Sequence, residues 1–81
     1  MSRRRPLPGP EQIVAAIVDL ADDGFCRRGE LAPRFPGLGA RDLQRALRRA
    51  IAQGLVIERR GPEGAWHLAV SSEGWELHRS G

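Results

Sequence analysis

At 81 residues, with 41% hydrophobic side chains and a formal net charge of +3, the chain suits one small domain and is too apolar for wholesale disorder. The single cysteine, Cys26, excludes an internal disulfide and a cysteine-based metal cluster. No apolar run reaches the length of a membrane span, and the N-terminus lacks the apolar stretch of a signal peptide. We therefore expect a cytoplasmic protein that makes no membrane contact.

Positive charge is concentrated in the middle of the chain, and every basic side chain is an arginine. Residues 11–23 carry four acids and no base, whereas residues 24–60 carry nine arginines against three acids. Arginine forms paired hydrogen bonds with phosphate groups and with the edge of guanine. The central stretch therefore favours a polyanion as the partner.

The N-terminal third of the chain predicts an arm followed by a helix. Residues 1–9 contain three arginines, two prolines and a glycine, which predicts a flexible basic arm. A first helix is predicted over residues 10–23, because Pro10 suits the first helical position and Gly24 suits the end of a helix. Its apolar residues at helical spacing are Ile13, Ile17, Leu20 and Ala21. The polar face of this helix is acidic, so we do not expect it to contact a polyanion.

A second helix is predicted over residues 27–35, after an apolar pair at 25–26 that is expected to form a single bridge of strand. Pro33 lies within this helix, and proline removes a backbone donor and clashes with the preceding turn. We therefore expect the helix to be short or distorted. Its inward-facing residues are Leu31 and Phe35. Residues 36–39 are predicted to form a turn.

The clearest pattern lies at residues 40–53, which predict a third helix that ends before Gly54. One apolar stripe consists of Leu43, Leu47, Ala50 and Ile51. The opposite face carries Arg41, Gln44, Arg45 and Arg48, with Arg49 to one side. This helix therefore has one face suited to packing and one cationic face suited to an anionic partner.

After the third helix the apolar period changes to two residues, which is typical of β-strands. Strands are predicted over residues 55–60 and 65–70, joined by a turn at 61–64. One face of the second strand carries Trp66, Leu68 and Val70. Arg59 and Arg60 are expected at the tip of this hairpin.

The C-terminal residues predict one short helical turn. Ser71 is predicted to cap a last short helical turn that holds Trp75 and Leu77. Trp66 and Trp75 are expected to pack in the core or against the hairpin, because burial of a large ring matters in a domain this small. Cys26 is expected to be a small buried hydrophobe.

The sequence contains no phosphate loop, no nucleophile elbow and no zinc-binding pattern. His67 and His78 lack the cysteine or paired-histidine spacing of a metal site. We therefore expect a protein that is not an enzyme and that uses no cofactor or metal.

Three helices followed by a two-stranded hairpin and a short C-terminal turn predict an α+β fold, a winged helix-turn-helix. The domain is expected over residues 10–78, between the arm at 1–9 and a tail at 79–81. In this architecture the third helix enters the major groove of DNA, and the hairpin, called the wing, lies against the backbone or the minor groove.

Two segments resemble known regulators. The segment RDLQRALRRAIAQGLVIERR, residues 41–60, resembles the recognition helix and first wing strand of winged-helix transcription regulators. The segment HLAVSSEGWEL, residues 67–77, resembles the second wing strand of multiple-antibiotic-resistance-type and related small regulators. The resemblance covers about residues 10–78 and implies sequence-directed binding of double-stranded DNA. In those regulators long dimerising helices follow the wing, and the residues after Val70 do not supply them.

A second resemblance is to Z-DNA-binding Zα domains. The segment GPEGAW, residues 61–66, is similar to the end of their wing and keeps the tryptophan, but it has one proline where they have two. Gln44 and Arg48 stand where those domains place an asparagine and a tyrosine. Recognition of left-handed DNA is therefore not expected.

The expected DNA-binding residues fall in three groups. The third helix supplies Arg41, Gln44, Arg45, Arg48 and Arg49, the wing supplies Arg59 and Arg60, and the arm supplies Arg3, Arg4 and Arg5 for a minor groove. A solvated charged helix face is the simplest alternative. The same fold also serves as a protein-interaction module, and a small phage or plasmid DNA-binding accessory factor is a third alternative. A homodimer or a protein partner is compatible with each of these.

Overall fold

The computed structural model describes residues 7–21, 25–61 and 63–80. These residues form an α+β fold, which confirms the predicted class. In chain order the elements are α1 (Pro10–Leu20), β1 (Cys26–Arg27), α2 (Arg28–Leu31), a 3₁₀ helix (Ala32–Arg34), α3 (Ala40–Ala52), β2 (Val56–Arg60), β3 (Trp66–Val70) and α4 (Ser72–Ser80). None of the helices in this described part is both long and apolar enough to cross a membrane.

The sheet has three strands where the sequence predicted a hairpin of two. Its order is β1-β3-β2, and both pairings are antiparallel. Cys26 lies opposite Leu68 and Arg27 lies opposite His67, so the predicted single bridge at 25–26 is a two-residue strand one position later. Two residues are too few to show a strand period, which is why sequence alone underestimated this element.

The first two helices differ in length from their predictions. α1 ends at Leu20, because Ala21 already has non-helical backbone angles, φ −93° and ψ 68°. The rest of the predicted helix, with Gly24, lies outside the described residues. The expected distortion of the second helix is confirmed: after one turn of α2 the chain tightens into the 3₁₀ helix that contains Pro33.

The hydrophobic core lies between the helices and one face of the sheet. From α1 it takes Ile13, Val14, Ala16 and Ile17, and from α3 it takes Leu43, Ala46, Leu47 and Ala50; Cys26, Leu31, Val56 and Leu68 complete it. Ile51, predicted for the apolar stripe of α3, is partly buried at the margin of this core. Cys26 is 1% exposed, as expected of a small buried hydrophobe.

α4 is longer than the predicted last turn, since it runs for nine residues and includes part of the predicted tail. The predicted cap is present: the Gly74 backbone N–H donates a hydrogen bond of 3.0 Å to Ser71 Oγ, and that hydroxyl donates to the Gly54 carbonyl oxygen. Trp75 is 45% exposed, so it does not take the first of its two predicted positions, the core. The buried residue of α4 is Gly74, which lies against Leu55 and Val70.

Candidate nucleic-acid interface

The two predicted faces of α3 are separated in the structure as the helical period requires. Leu43, Ala46, Leu47 and Ala50 are buried, whereas Arg41, Gln44, Arg45, Arg48 and Arg49 are exposed. Arg41, Arg45 and Arg48 follow one another along one side of the helix, over about 10 Å at 1.5 Å per residue. We call these three residues, together with Gln44 and Arg49, the α3 basic face.

The end of α3 fixes the direction in which the chain enters the sheet. Gly54 has a φ of +76°, which suits glycine, and its N–H donates to the Ile51 carbonyl oxygen. The N–H of Leu55 donates to the Ala50 carbonyl oxygen, which completes a Schellman motif. The predicted glycine cap of the third helix is therefore confirmed, and it joins the α3 basic face to β2 through a short, hydrogen-bonded turn.

The arginines of the α3 basic face make no internal ion pair or hydrogen bond within the described part of the chain. The ion pairs recorded there join Arg28 to Glu58 and Arg34 to Asp19, and both lie elsewhere on the surface. Asp42 is the only acid on α3, and it lies in the first turn. The guanidinium donors of this face are therefore available to an acceptor from another molecule.

A shallow surface depression of about 420 Å³ lies at the C-terminal half of the α3 basic face. It is lined by Leu7, Arg45, Arg48, Arg49 and Ala52. Leu7 precedes α1 and is partly buried against the core, so the chain before α1 reaches this face. Arg3, Arg4 and Arg5, predicted to contact a minor groove, lie outside the described residues.

The two wing arginines are exposed, but they belong to opposite faces of the sheet. Consecutive residues of a strand point to opposite sides, and residues that lie opposite each other across an antiparallel pair share a side. Arg59 lies opposite His67, whereas Arg60 lies opposite Trp66. Since His67 also pairs with Arg27, the outer face of the sheet carries a row of three nitrogen-rich side chains across its three strands.

Arg60 and Trp66 form the last pair of the β2–β3 ladder, on the same side of the sheet as the core. The Arg60 guanidinium carbon lies 5.2 Å from the centroid of the Trp66 ring, within the range of a cation–π contact. Trp66 is 54% exposed, so of the two predicted positions, the core and the hairpin, it takes the one on the hairpin, against Arg60. Leu68, two residues further along that face, is already 1% exposed, and the core ends there.

Glu58 is the acid of β2 that lies on the same face as Arg60 and Trp66, and it already has a partner. Glu58 precedes Arg60 by two residues, and its carboxylate is bound by the Arg28 guanidinium at the start of α2. Arg60 itself makes no ion pair among residues 7–21, 25–61 and 63–80. Arg60 is therefore not paired with Glu58, the acid on its own face of β2.

Sequence reasoning missed two exposed residues of the sheet, which lie on its opposite faces. Arg27 joins it only through the pairing of β1 with β3, for which the sequence carries no local pattern. Trp66 was assigned to packing, although alternation along β3 places it one step beyond Leu68 and next to the turn. In the described part of the chain, no group of three or more His, Cys, Asp or Glu residues is arranged to hold a metal ion.

No protein-family model matches the chain, no curated protein is significantly similar to it in sequence, and no solved structure matches it significantly.

Proposed function

We propose that this protein is a winged helix-turn-helix protein that binds double-stranded DNA and acts as a sequence-directed transcription regulator. The observation that carries the proposal is the α3 basic face: four exposed arginines, opposite a buried apolar stripe, without an internal partner in the described chain. An α-helix is about 10–12 Å wide with its side chains, and the major groove is about 12 Å wide. In this proposal α3 lies in that groove and the β2–β3 hairpin lies on the backbone.

The order of the elements supports the same proposal. A winged helix-turn-helix has a recognition helix third in the chain, followed directly by the wing. Here α3 is followed by β2 after the Gly54 turn, and six of the thirteen arginines lie on those two elements. Gln44 is suited to adenine, and an arginine such as Arg45 is suited to guanine, by paired hydrogen bonds to base edges. The protein acts by binding, without catalysis.

A binding titration on duplex DNA tests this proposal. A labelled random duplex and a duplex selected from a random pool are titrated at two salt concentrations. Arg45→Ala should weaken binding to the selected duplex by about 1–3 kcal/mol and binding to the random duplex by less, if Arg45 contacts a guanine. Arg79→Ala is the matched control, because it removes an exposed arginine from a different helix, α4.

Two results would contradict the proposal. One is the absence of binding to any duplex at low salt, where phosphate contacts are strongest. The other is an equal effect of Arg45→Ala and Arg79→Ala, which would mean that α3 is only a solvated helix. Equal losses of affinity for both duplexes after Arg45→Ala would agree with DNA binding but would contradict a base-reading role for this residue.

A protein-interaction module is a second candidate, and the exposure of two large apolar residues on α4 favours it. Trp75 is 45% exposed and Leu77 is 36% exposed. They are two positions apart, however, so they point about 160° apart around the helix and flank Gly74 on opposite sides. Sedimentation of the protein with Trp75→Ser as the comparison tests this candidate: a stable homodimer that dissociates in the variant would support it.

A further inference from the structure

We propose that Trp66 and Arg60 form one contact unit for the DNA backbone, in which the indole covers a deoxyribose and the guanidinium binds the adjoining phosphate. This proposal rests on the DNA-binding function proposed above and adds Trp66 to the interface. It also gives Arg60 a role different from that of Arg59.

The position of the indole supports this contact. Trp66 is 54% exposed, the highest value among the exposed large hydrophobic side chains of residues 7–21, 25–61 and 63–80. It belongs to the core side of the sheet but lies beyond Leu68, where the core ends. The ring therefore extends a flat apolar surface past the body of the domain, next to the turn of the wing.

The neighbour of Trp66 supplies the complementary chemistry. Arg60 lies over the indole at 5.2 Å, so one side chain of the pair is apolar and flat and the other is cationic. The sugar-phosphate backbone offers the same alternation, an apolar sugar ring beside an anionic phosphate. Glu58 is bound by Arg28, and Arg60 makes no ion pair in the described part of the chain, so its guanidinium is available to an external anion.

A DNA duplex exposes its backbone more than its bases. Its bases are paired and stacked, so a hairpin that lies on the backbone meets sugars and phosphates first. An exposed tryptophan that stacked on a base would instead require an unpaired strand. The proposal therefore commits to double-stranded DNA.

Intrinsic fluorescence tests this contact directly, because the chain has two tryptophans. In the Trp75→Phe variant, Trp66 is the only indole, and in Trp66→Phe, Trp75 is the only one. Both are titrated with an unlabelled duplex, while binding is measured separately by anisotropy of the same duplex carrying a label. We expect the emission of Trp66 to change with the midpoint of the anisotropy curve, and the emission of Trp75 to stay constant.

Affinity measurements provide the second test. Trp66→Ala should weaken duplex binding about fivefold to tenfold, and Trp66→Phe, which keeps a flat apolar ring, less than about threefold. Arg60→Ala should reduce the slope of log affinity against log salt by about 1, whereas Arg79→Ala should leave it unchanged. Circular dichroism checks that each variant is folded. Because Trp66 is exposed, we expect its substitutions to leave the fold intact.

The possible results distinguish this contact proposal from the proposed DNA-binding function on which it rests. Duplex binding by anisotropy without a change in Trp66 emission would overturn the contact unit and leave the DNA-binding function intact. Tighter binding to a single-stranded oligonucleotide, lost in Trp66→Ala, would place the ring on a base and overturn the sugar contact. The absence of any binding by anisotropy would overturn both proposals.

Discussion

Gly74 of α4 lies directly against the carbonyl oxygen of Leu55, at the point where the chain leaves α3 and enters the sheet. A Cβ at this position would overlap that oxygen and would come within 2.7 Å of the Cγ1 atom of Val70. The close approach of helix to backbone explains why a glycine stands inside α4, although glycine costs about 1 kcal/mol in a helix relative to alanine.

Gly74→Ala should therefore destabilise the protein, by about 1–3 kcal/mol, despite the better helix propensity of alanine. Gly29→Ala is the matched control, because Gly29 also lies in a helix and a Cβ there meets nothing within 4 Å. That control should be neutral or more stable by about 0.5–1 kcal/mol. Urea unfolding of both variants measures the difference, and equal free energies of unfolding would disprove the close approach.

Ser71→Ala should lower the free energy of unfolding by about 1–2 kcal/mol. Its hydroxyl accepts from the Gly74 N–H and donates to the Gly54 carbonyl oxygen, so the alanine would leave both groups without that partner. Ser72→Ala is the control, since Ser72 is exposed at the start of α4 and should change stability by less than about 0.5 kcal/mol. Thermal unfolding of the two variants is the measurement, and a cost as large for Ser72 as for Ser71 would contradict the cap.

Stability should fall between pH 9 and pH 11 because of Cys26. Burial, and then the charge of Glu30, raises the pKa of the Cys26 thiol from 9.0 to about 11. Above pH 9 the thiol ionises in the unfolded chain but stays protonated in the folded one, so the stabilisation present below pH 9 is lost as the pH rises to about 11. The chain has no lysine and no tyrosine, so no other side chain is expected to titrate in this window.

The free energy of unfolding of the wild type and of Cys26→Ala, measured at intervals from pH 8 to pH 11.5, tests this prediction. The variant should be less stable at pH 8, because it loses a buried sulfur, and its stability should depend less on pH above pH 9. Parallel curves for the two proteins would show that another group causes the loss.

The ion pair between Arg28 and Glu58 should contribute less than about 1 kcal/mol to stability. The two side chains are 49% and 32% exposed, and surface pairs are weakened by solvent and salt. A double-mutant cycle with Arg28→Gln and Glu58→Gln should give a small coupling energy that disappears at 1 M salt, where the Debye length is about 3 Å. A coupling that survives 1 M salt would indicate a contact better shielded than the exposures suggest.

The parts of this fold that the sequence predicts are those with a local cause. The two faces of α3 follow from the spacing of Leu43 and Leu47 against that of Arg41 and Arg45, and the tightening of the second helix follows from Pro33. The parts that it does not predict depend on contacts between distant segments. β1 is a strand only because β3 lies beside it, and no pattern in two residues can show this.

The candidate site likewise has features that local sequence patterns predict and features that they do not. The exposure of the α3 arginines could be predicted, because helical periodicity alone sets them opposite the apolar stripe. The placement of Arg59 and Arg60 on opposite faces of the sheet could also be predicted, since alternation along a strand requires it. The exposure of Trp66 could not be predicted, because it depends on where the core ends. The residues of α1 and α3 that reach the sheet determine the end of the core.

The order of the sheet has a consequence for solubility. β2 is an edge strand, and an edge of this kind is a template on which another chain can add a strand and start aggregation. The second half of β2 consists of Glu58, Arg59 and Arg60, and charged residues at an edge oppose such growth. The arginines proposed to hold DNA therefore also keep separate molecules from joining through their sheets, and replacing both with apolar residues would make the protein prone to fibre formation.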